Sequence, residues 1–437
     1  MRIGILAHVG NGNLGDEATV AALVRNARAR QPGSEIVVIS MDPEDTERRH
    51  AVRAVPIRRE TGRRSRSRQA SDHASIPPGK LSQSPKGSRT RLRDGLRKVP
   101  RVYRFLHQMA RLGRSVRAAG PEAVFVVRSF VVLTHLDRLI IAGGGQLGDY
   151  FGGPWGYPLT IFTWCALARL ARVKFAFVSV GAEPVHSPIS KRFFRWALAL
   201  ADYRSFRDEG SRRLMESVGA PPGGAVYPDL VHGLHPKIIT PRQPSVGPGL
   251  TVGLNPVPFF DSRYWTEHDE TIYERYVANL AAFASWLLGR NHRVLFFPTQ
   301  IHADPWVIHD IQMVMKRTGG EGREDRILTP SVTSVDDLWT ALPLTDVIVA
   351  SRFHGLIFAS LLERPVLALS YYSKMEELME RMGQRDYVLP ITTLDVDSLI
   401  RRFMALEDDL KPARVRLMDR RSAHLAALES QYDAVFR

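Results

Sequence analysis

Two hydrophobic rhythms alternate along this chain. Apolar runs of strand length recur at residues 2–8, 35–40, 139–142, 174–180 and 203–206, and again at 250–256, 293–297, 346–350 and 366–369. Several are continuously apolar and rich in branched residues, which suits strands buried on both faces of a parallel sheet. Helical stretches separate them, at 18–30, 159–170, 271–288, 303–316, 335–341 and 356–362. A strand followed by a helix, repeated in each half, predicts an α/β chain of two Rossmann-like domains. At 437 residues the chain is long for one core and right for two. The boundaries follow from composition: residues 1–235, a proline-rich linker at 236–249, a second half at 250–393 and a helical tail at 394–437. Leu406, Leu410, Leu417, Leu425 and Leu428 give that tail an apolar stripe.

Composition narrows the class. A hydrophobic content of 44% and a charged content of 24% are ordinary for a soluble protein. No run reaches the roughly eighteen apolar residues of a membrane span. The amino terminus reads as a strand entering a glycine loop, without a signal peptide's cleavage region, and predicts a cytoplasmic protein. Cys165 is the single cysteine, which excludes an intrachain disulfide and any multi-cysteine metal site. Its apolar neighbours make it a small buried hydrophobe. His292, His302 and His309 show no metal-binding spacing with nearby acids and read as surface or packing residues.

The net charge of +15 is localised: residues 48–117 hold 21 Lys and Arg against 3 Asp and Glu, so the rest is slightly acidic. Residues 58–97 shift to Arg, Ser, Pro, Gly and Lys, a composition that cannot bury a core and reads as a disordered insertion. A basic helix is expected over 99–116. Three readings of this segment stand side by side: a solvated insertion, a peripheral contact with anionic lipid at the inner face of the plasma membrane, and a nucleic-acid contact. Residues 58–101 contain almost no aromatics and so no stacking platforms, and no nucleic-acid partner is expected.

The candidate chemistry lies where strands end. Residues 9–17 read Val-Gly-Asn-Gly-Asn-Leu-Gly-Asp-Glu, a glycine turn between the first strand and its helix, with Asp16 placed to cap that helix. Gly143, Gly144 and Gly145 follow the strand at 139–142; three glycines there make sense if backbone N–H groups meet a ligand. Arg207-Asp208-Glu209-Gly210-Ser211 follows the strand at 203–206, where Arg207 and Asp208 read as a helix-start ion pair. Ser351-Arg352-Phe353-His354-Gly355 lies between the strand at 346–350 and an apolar helix. Residues two apart on extended chain point to one side, so Arg352 and His354 are expected to face one pocket beside a helix N-terminus. A permanent cation, an imidazole and a helix N-terminus suit a small anion carrying phosphate or carboxylate.

Ser-Arg-Phe-His-Gly-Leu-Ile-Phe-Ala, then Pro365, then Ser-Tyr-Tyr-Ser-Lys374, resembles the signature of the polysaccharide pyruvyl transferases. Gly10-x-x-Asn13-x-Gly15-Asp16 resembles that family's first loop, and the glycine run at 143–145 has a counterpart there. The likeness covers roughly residues 1–45 and 120–390; the basic insertion departs from it. It implies two Rossmann-like domains facing a cleft, as in glycosyltransferase-B folds, with the tail packing back across it. It also implies transfer of the enolpyruvyl group of phosphoenolpyruvate to a lipid-linked or nucleotide-linked sugar, forming a pyruvate ketal. His354 would then be the acid, with Arg352, Arg207 and Lys374 as anion-binding cations. Asn13, Asp16, Gly143, Gly144, Gly145 and Ser351 would complete the substrate site, with Ser211 less securely matched. The charge balance calls for no metal and no cofactor beyond the co-substrate. Two other readings remain open: a nucleotide-sugar glycosyltransferase of the same architecture, and a non-catalytic scaffold at the membrane.

Overall fold

Every paired strand among the described residues runs parallel to its neighbours, and the pairs form two sheets. The computed structural model describes residues 1–59, 120–150, 152–234, 249–318 and 324–436. Residues 60–97 of the basic stretch, the helix expected over 99–116 and all but the last residue of the linker lie outside the described residues.

The first sheet consists of β1 (Arg2–Leu6), β2 (Glu35–Ser40), β3 (Arg53–Pro56), β4 (Arg138–Ala142), β5 (Lys174–Val180), β6 (Tyr203–Phe206) and β7 (Ala225–Val226), in the order β3-β2-β1-β4-β5-β6-β7. The second repeats that plan with β8 (Thr251–Asn255), β9 (Arg293–Phe296), β10 (Ile327–Leu328), β11 (Val347–Ala350), β12 (Val366–Ser370) and β13 (Val388–Pro390), in the order β10-β9-β8-β11-β12-β13. In each sheet the winding reverses once, between β1 and β4 and between β8 and β11. Ligands bind such sheets in the crevice at the carboxyl ends of the strands flanking the reversal. The turns after β1, β4 and β11, singled out by sequence, stand at these two crevices.

Local chemistry sets the helix starts. The first helix runs Leu14–Arg30, four residues longer than its apolar pattern suggests, because the Asn13 side chain accepts the Gly15 N–H at 3.0 Å. Asp16, expected to be the cap, lies inside the first turn. The helix after β11 runs Phe353–Leu361, so His354 is already helical, while Arg352 keeps the extended conformation of an N-cap residue. The pair reaches one cavity through a strand-to-helix corner rather than along an extended chain.

The halves are closed on each other. Leu14 N donates to Thr299 O at 2.8 Å and Ile301 N to Gly12 O at 3.0 Å, which stitches the first loop to the turn after β9. The last helix, Leu410–Phe436, packs Ala413 and Leu417 into the core of the second sheet. Its far end places Leu428, Tyr432, Val435 and Phe436 in the core of the first sheet. There the Gln431 side-chain amide donates to Ser205 Oγ at 2.7 Å and Ser179 Oγ at 3.0 Å. No helix among the described residues is long and apolar enough to cross a membrane.

Candidate active site between the two sheets

A cavity of about 500 Å³ opens between the carboxyl ends of the two sheets. The first half lines it with His8, Asn13, Asp16, Gly145, Glu183 and Arg207; the second contributes Arg352, Phe353 and His354. Arg207, Arg352 and His354, 145 or more residues apart across the halves, are thus brought together by the fold.

Arg352 is half-buried against Asp304, the first residue of the helix Asp304–Arg317. Its Nε donates to Asp304 Oδ1 at 3.0 Å, and its guanidinium lies 5.1 Å over the Tyr264 ring. Asp304 Oδ2 accepts the N–H groups of Thr299 and Gln300, at 2.9 and 2.8 Å, so the carboxylate that aims Arg352 is itself fixed. Burial opposes the charge on Arg352, but Asp304 outweighs it and holds the guanidinium above its ordinary pKa.

Arg207 is more deeply enclosed. Its Nη1 lies 3.4 Å from Asp229 Oδ2, its Nε 3.4 Å from Asp208 Oδ2 and its Nη2 4.0 Å from Glu183 Oε1. The Phe353 ring, from the other half, stacks 4.3 Å from its guanidinium carbon. Burial again works against the charge, and Asp229 and Asp208 more than restore it. Asp208 also caps the helix Glu209–Ser217 through the Ser211 N–H, so the ion pair and the helix start expected from sequence are one structure. Ser211 itself donates nothing to the cavity; its hydroxyl accepts the Ala182 N–H at 2.8 Å.

His354 sits in the first turn of its helix, with 9% of its surface exposed. Its buried Nε2 has no hydrogen-bond partner among the described residues and lies 4.0 Å from Asp229 Oδ2. Burial pushes its pKa below the ordinary histidine value, against the upward pull of Asp229 and Asp16. The imidazole packs against the start of the helix Leu14–Arg30 at Gly15, where a Cβ would overlap the ring. Gly181 does the same for Arg207, whose guanidinium occupies the space a side chain there would need.

The other expected site residues divide. Lys374 stands behind the cavity, lining a smaller cleft with Arg207 and Asp229. Its ammonium donates to Glu183 Oε1 at 2.7 Å and to the Ala182 carbonyl, and burial pushes its pKa below the ordinary lysine value. Of the three glycines only Gly145 lines the cavity; the Gly143 N–H donates to Val178 O at 3.0 Å, and the Gly144 carbonyl accepts from Gly181 N at 2.7 Å. Ser351 does not face the cavity. Its hydroxyl accepts the Val257 N–H at 3.0 Å, donates to the Asn255 carbonyl at 3.1 Å and meets Tyr276 OH at 2.9 Å. It fastens β11 to β8 rather than touching a ligand.

Residues not singled out as site residues complete the wall. Phe259, Phe260, Tyr264 and Trp265 come from the loop after β8, Tyr371 and Tyr372 from the end of β12, and Glu183 from the loop after β5. Their signal was position at strand ends; Tyr371 and Tyr372 even lie inside the quoted signature. Asp229 and Asp304 had none, because each acts through an arginine distant in sequence. No group of three or more metal-binding side chains occurs among the described residues.

Two matching parallel sheets around one cleft, with Arg207 lining it from the first half and Arg352 from the second, define the glycosyltransferase-B architecture. The chain belongs to the polysaccharide pyruvyl transferase family, whose model matches residues 13–373, and is thereby a transferase. Among solved structures it is similar to a putative UDP-N-acetylglucosamine 2-epimerase from Listeria monocytogenes (TM-score 0.55, 12% identity, 99% of this chain and 97% of that one). It is also similar to a glycosyltransferase from Rickettsia africae (TM-score 0.55, 10% identity, 100% and 98%). A third is the UDP-GlcNAc 2-epimerase of Neisseria meningitidis, solved with UDP-GlcNAc (TM-score 0.53, 10% identity, 95% and 94%). At these identities the likeness is one of fold. No curated protein matches the sequence.

Proposed function

We propose that this enzyme transfers the enolpyruvyl group of phosphoenolpyruvate to two hydroxyls of one sugar, releasing phosphate and leaving a pyruvate ketal. The observation that carries the reading is the meeting of Arg207, Arg352 and the unpartnered Nε2 of His354 in one cleft between the halves. The co-substrate has a carboxylate and a phosphate, and two guanidiniums lining the cleft suit two such groups.

In this reading His354 protonates the terminal methylene while a sugar hydroxyl adds to the neighbouring carbon, giving a tetrahedral intermediate. Phosphate then leaves with its bonding pair, stabilised by the arginines. The second hydroxyl adds to the same carbon, and the protons lost by the two hydroxyls balance those taken by the methyl group and phosphate. Burial keeps free His354 neutral near pH 7, so it takes up its proton when the anion arrives and stabilises the imidazolium. Lys374 supports Glu183 beside Arg207 and keeps that side of the cavity charged. The aromatic loop after β8 is the surface against which the apolar face of a sugar ring packs.

A glycan precursor of an exopolysaccharide or cell wall, lipid-linked or nucleotide-linked, is the acceptor class. The nucleotide link draws on the resemblance to the Neisseria enzyme bound to UDP-GlcNAc. The basic segment would bring the enzyme to the inner membrane face, where lipid-linked precursors reside. Incubation with phosphoenolpyruvate and such acceptors, following phosphate release, tests the proposal. Phosphate with a ketal product supports it. Consumption of a nucleotide sugar alone supports a glycosyltransferase, and neither reaction leaves a non-catalytic scaffold.

A further inference from the structure

On the flank of the first sheet, two consecutive helices expose an aromatic surface that the active site does not use. The helices Tyr157–Leu170 and Pro188–Leu200 pack side by side. Trp155, just before the first, is 68% exposed, Trp196 on the second is 47% exposed, and Leu170 at the end of the first is 72% exposed. Phe193 joins these rings: it lies 6.1 Å from Trp155, 6.3 Å from Trp196 and stacks on Phe162 at 5.4 Å. Large aromatics this open to water are costly for a protein surface and mark a contact site.

The two helices themselves carry charge of one sign. Neither helix contains an Asp or Glu, whereas the second carries Lys191, Arg192 and Arg195. None of these three forms an ion pair with a carboxylate among the described residues. Tryptophans beside unpaired basic residues match the interfacial zone of a bilayer, where indole rings sit at headgroup depth and lysine and arginine reach anionic phosphates.

The patch adjoins the cavity mouth. Tyr150 and Pro184 line the cavity, each five residues before a patch member, Trp155 and Ile189. Five residues span at most about 18 Å. Asp149 ties the two loops together by accepting the N–H groups of His186 and Ser187 at 3.0 and 2.9 Å.

We infer that Trp155 and Trp196, braced from beneath by the buried Phe193 and flanked by Arg192 and Arg195, form the surface by which this enzyme seats itself on an anionic lipid bilayer, with the cavity mouth turned to the membrane. The inference rests on the proposed function only in supplying a reason for docking, a lipid-linked acceptor; the contact itself is tested without any substrate.

The test is co-sedimentation of the full chain with phosphatidylglycerol-containing vesicles, alongside quenching of tryptophan fluorescence by lipids brominated in their acyl chains. The wild type should bind these vesicles in preference to phosphatidylcholine alone, with quenching. Trp155→Ala/Trp196→Ala and, separately, Arg192→Glu/Arg195→Glu should each lower vesicle binding by about tenfold or more. The tryptophan variant should also lose the quenching. Both variants should keep the wild-type melting temperature, which separates loss of docking from loss of fold. Unchanged vesicle binding in both variants would overturn the inference and assign any membrane contact to the basic segment. A wild-type dimer in sedimentation velocity that the tryptophan variant converts to monomer would overturn it too, by showing a second copy on the patch.

Discussion

The turn after β4 and the turn after β11 hold the same place in their sheets, each beside the point where the winding reverses. They contribute opposite things. Gly143-Gly144-Gly145 supplies almost no side-chain atoms, and Gly143 and Gly144 spend backbone groups on neighbouring strands. Ser351-Arg352-Phe353-His354 supplies a cation, a ring that covers Arg207 and an imidazole. The same division appears at Gly15 and Gly181, which leave room for His354 and Arg207. The first half therefore leaves space at its glycines for side chains from elsewhere, while it also supplies charge through Asp16, Glu183 and Arg207. The difference teaches that glycines in such folds serve a side chain from elsewhere as readily as a ligand.

Removing the charge at its centre should have the largest effect. His354→Ala should lower kcat by about 100- to 10,000-fold, the span for loss of a general acid, with melting temperature preserved. A variant with near-wild-type turnover would take His354 out of the chemistry.

Filling the space should come next. Gly15→Ala places a methyl group where the imidazole packs, so kcat should fall by about 100-fold, the cost of displacing a reacting group by an ångström. The double variant with His354→Ala should be no less active than His354→Ala alone. A further loss in the double variant would mean Gly15 acts on something other than the ring.

The two arginines sharpen the comparison. Arg207→Ala and Arg352→Ala should each weaken phosphoenolpyruvate binding by about 1.5–3 kcal/mol, the range for charge-assisted hydrogen bonds. Only Arg207→Ala should also lower stability by about 3–5 kcal/mol, since it leaves two buried carboxylates, Asp208 and Asp229, without their cation and with one backbone N–H each. Asp304 keeps two backbone N–H partners when Arg352 is lost. Calorimetry and denaturant melts separate the two effects; unchanged affinity in both variants would place the donor elsewhere. The smallest effect is expected at Ser351→Ala: about 1 kcal/mol of stability from broken internal hydrogen bonds, and no change in phosphoenolpyruvate affinity. A clear loss of affinity would return Ser351 to the ligand site.

Much of this was legible in the sequence because it is local. The α/β plan followed from apolar runs between helical stretches, Arg352 and His354 from their place at a strand end, and Arg207 from the family resemblance. Helix starts were less legible, because the Asn13 cap adds a turn that hydrophobic periodicity does not record. What stayed hidden was tertiary. Nothing near Asp229 or Asp304 in sequence announces the arginine it holds. The glycine run at 143–145 reads alike whether its N–H groups meet a ligand or a strand. Lys374 and Ser351 lie inside the signature, yet one is held behind the cavity by Glu183 and the other is turned into the sheet.

The central claim is that an anion binding between the halves charges His354. Titration calorimetry with phosphoenolpyruvate at pH 8, in buffers of different ionisation enthalpy, counts the protons exchanged. Free His354 has a pKa below its ordinary value of 6.5 and is neutral there, while the bound anion raises that pKa. The wild type should therefore take up protons on binding, and His354→Ala should bind without uptake. Binding with no proton uptake, or with the same uptake in His354→Ala, would contradict the account.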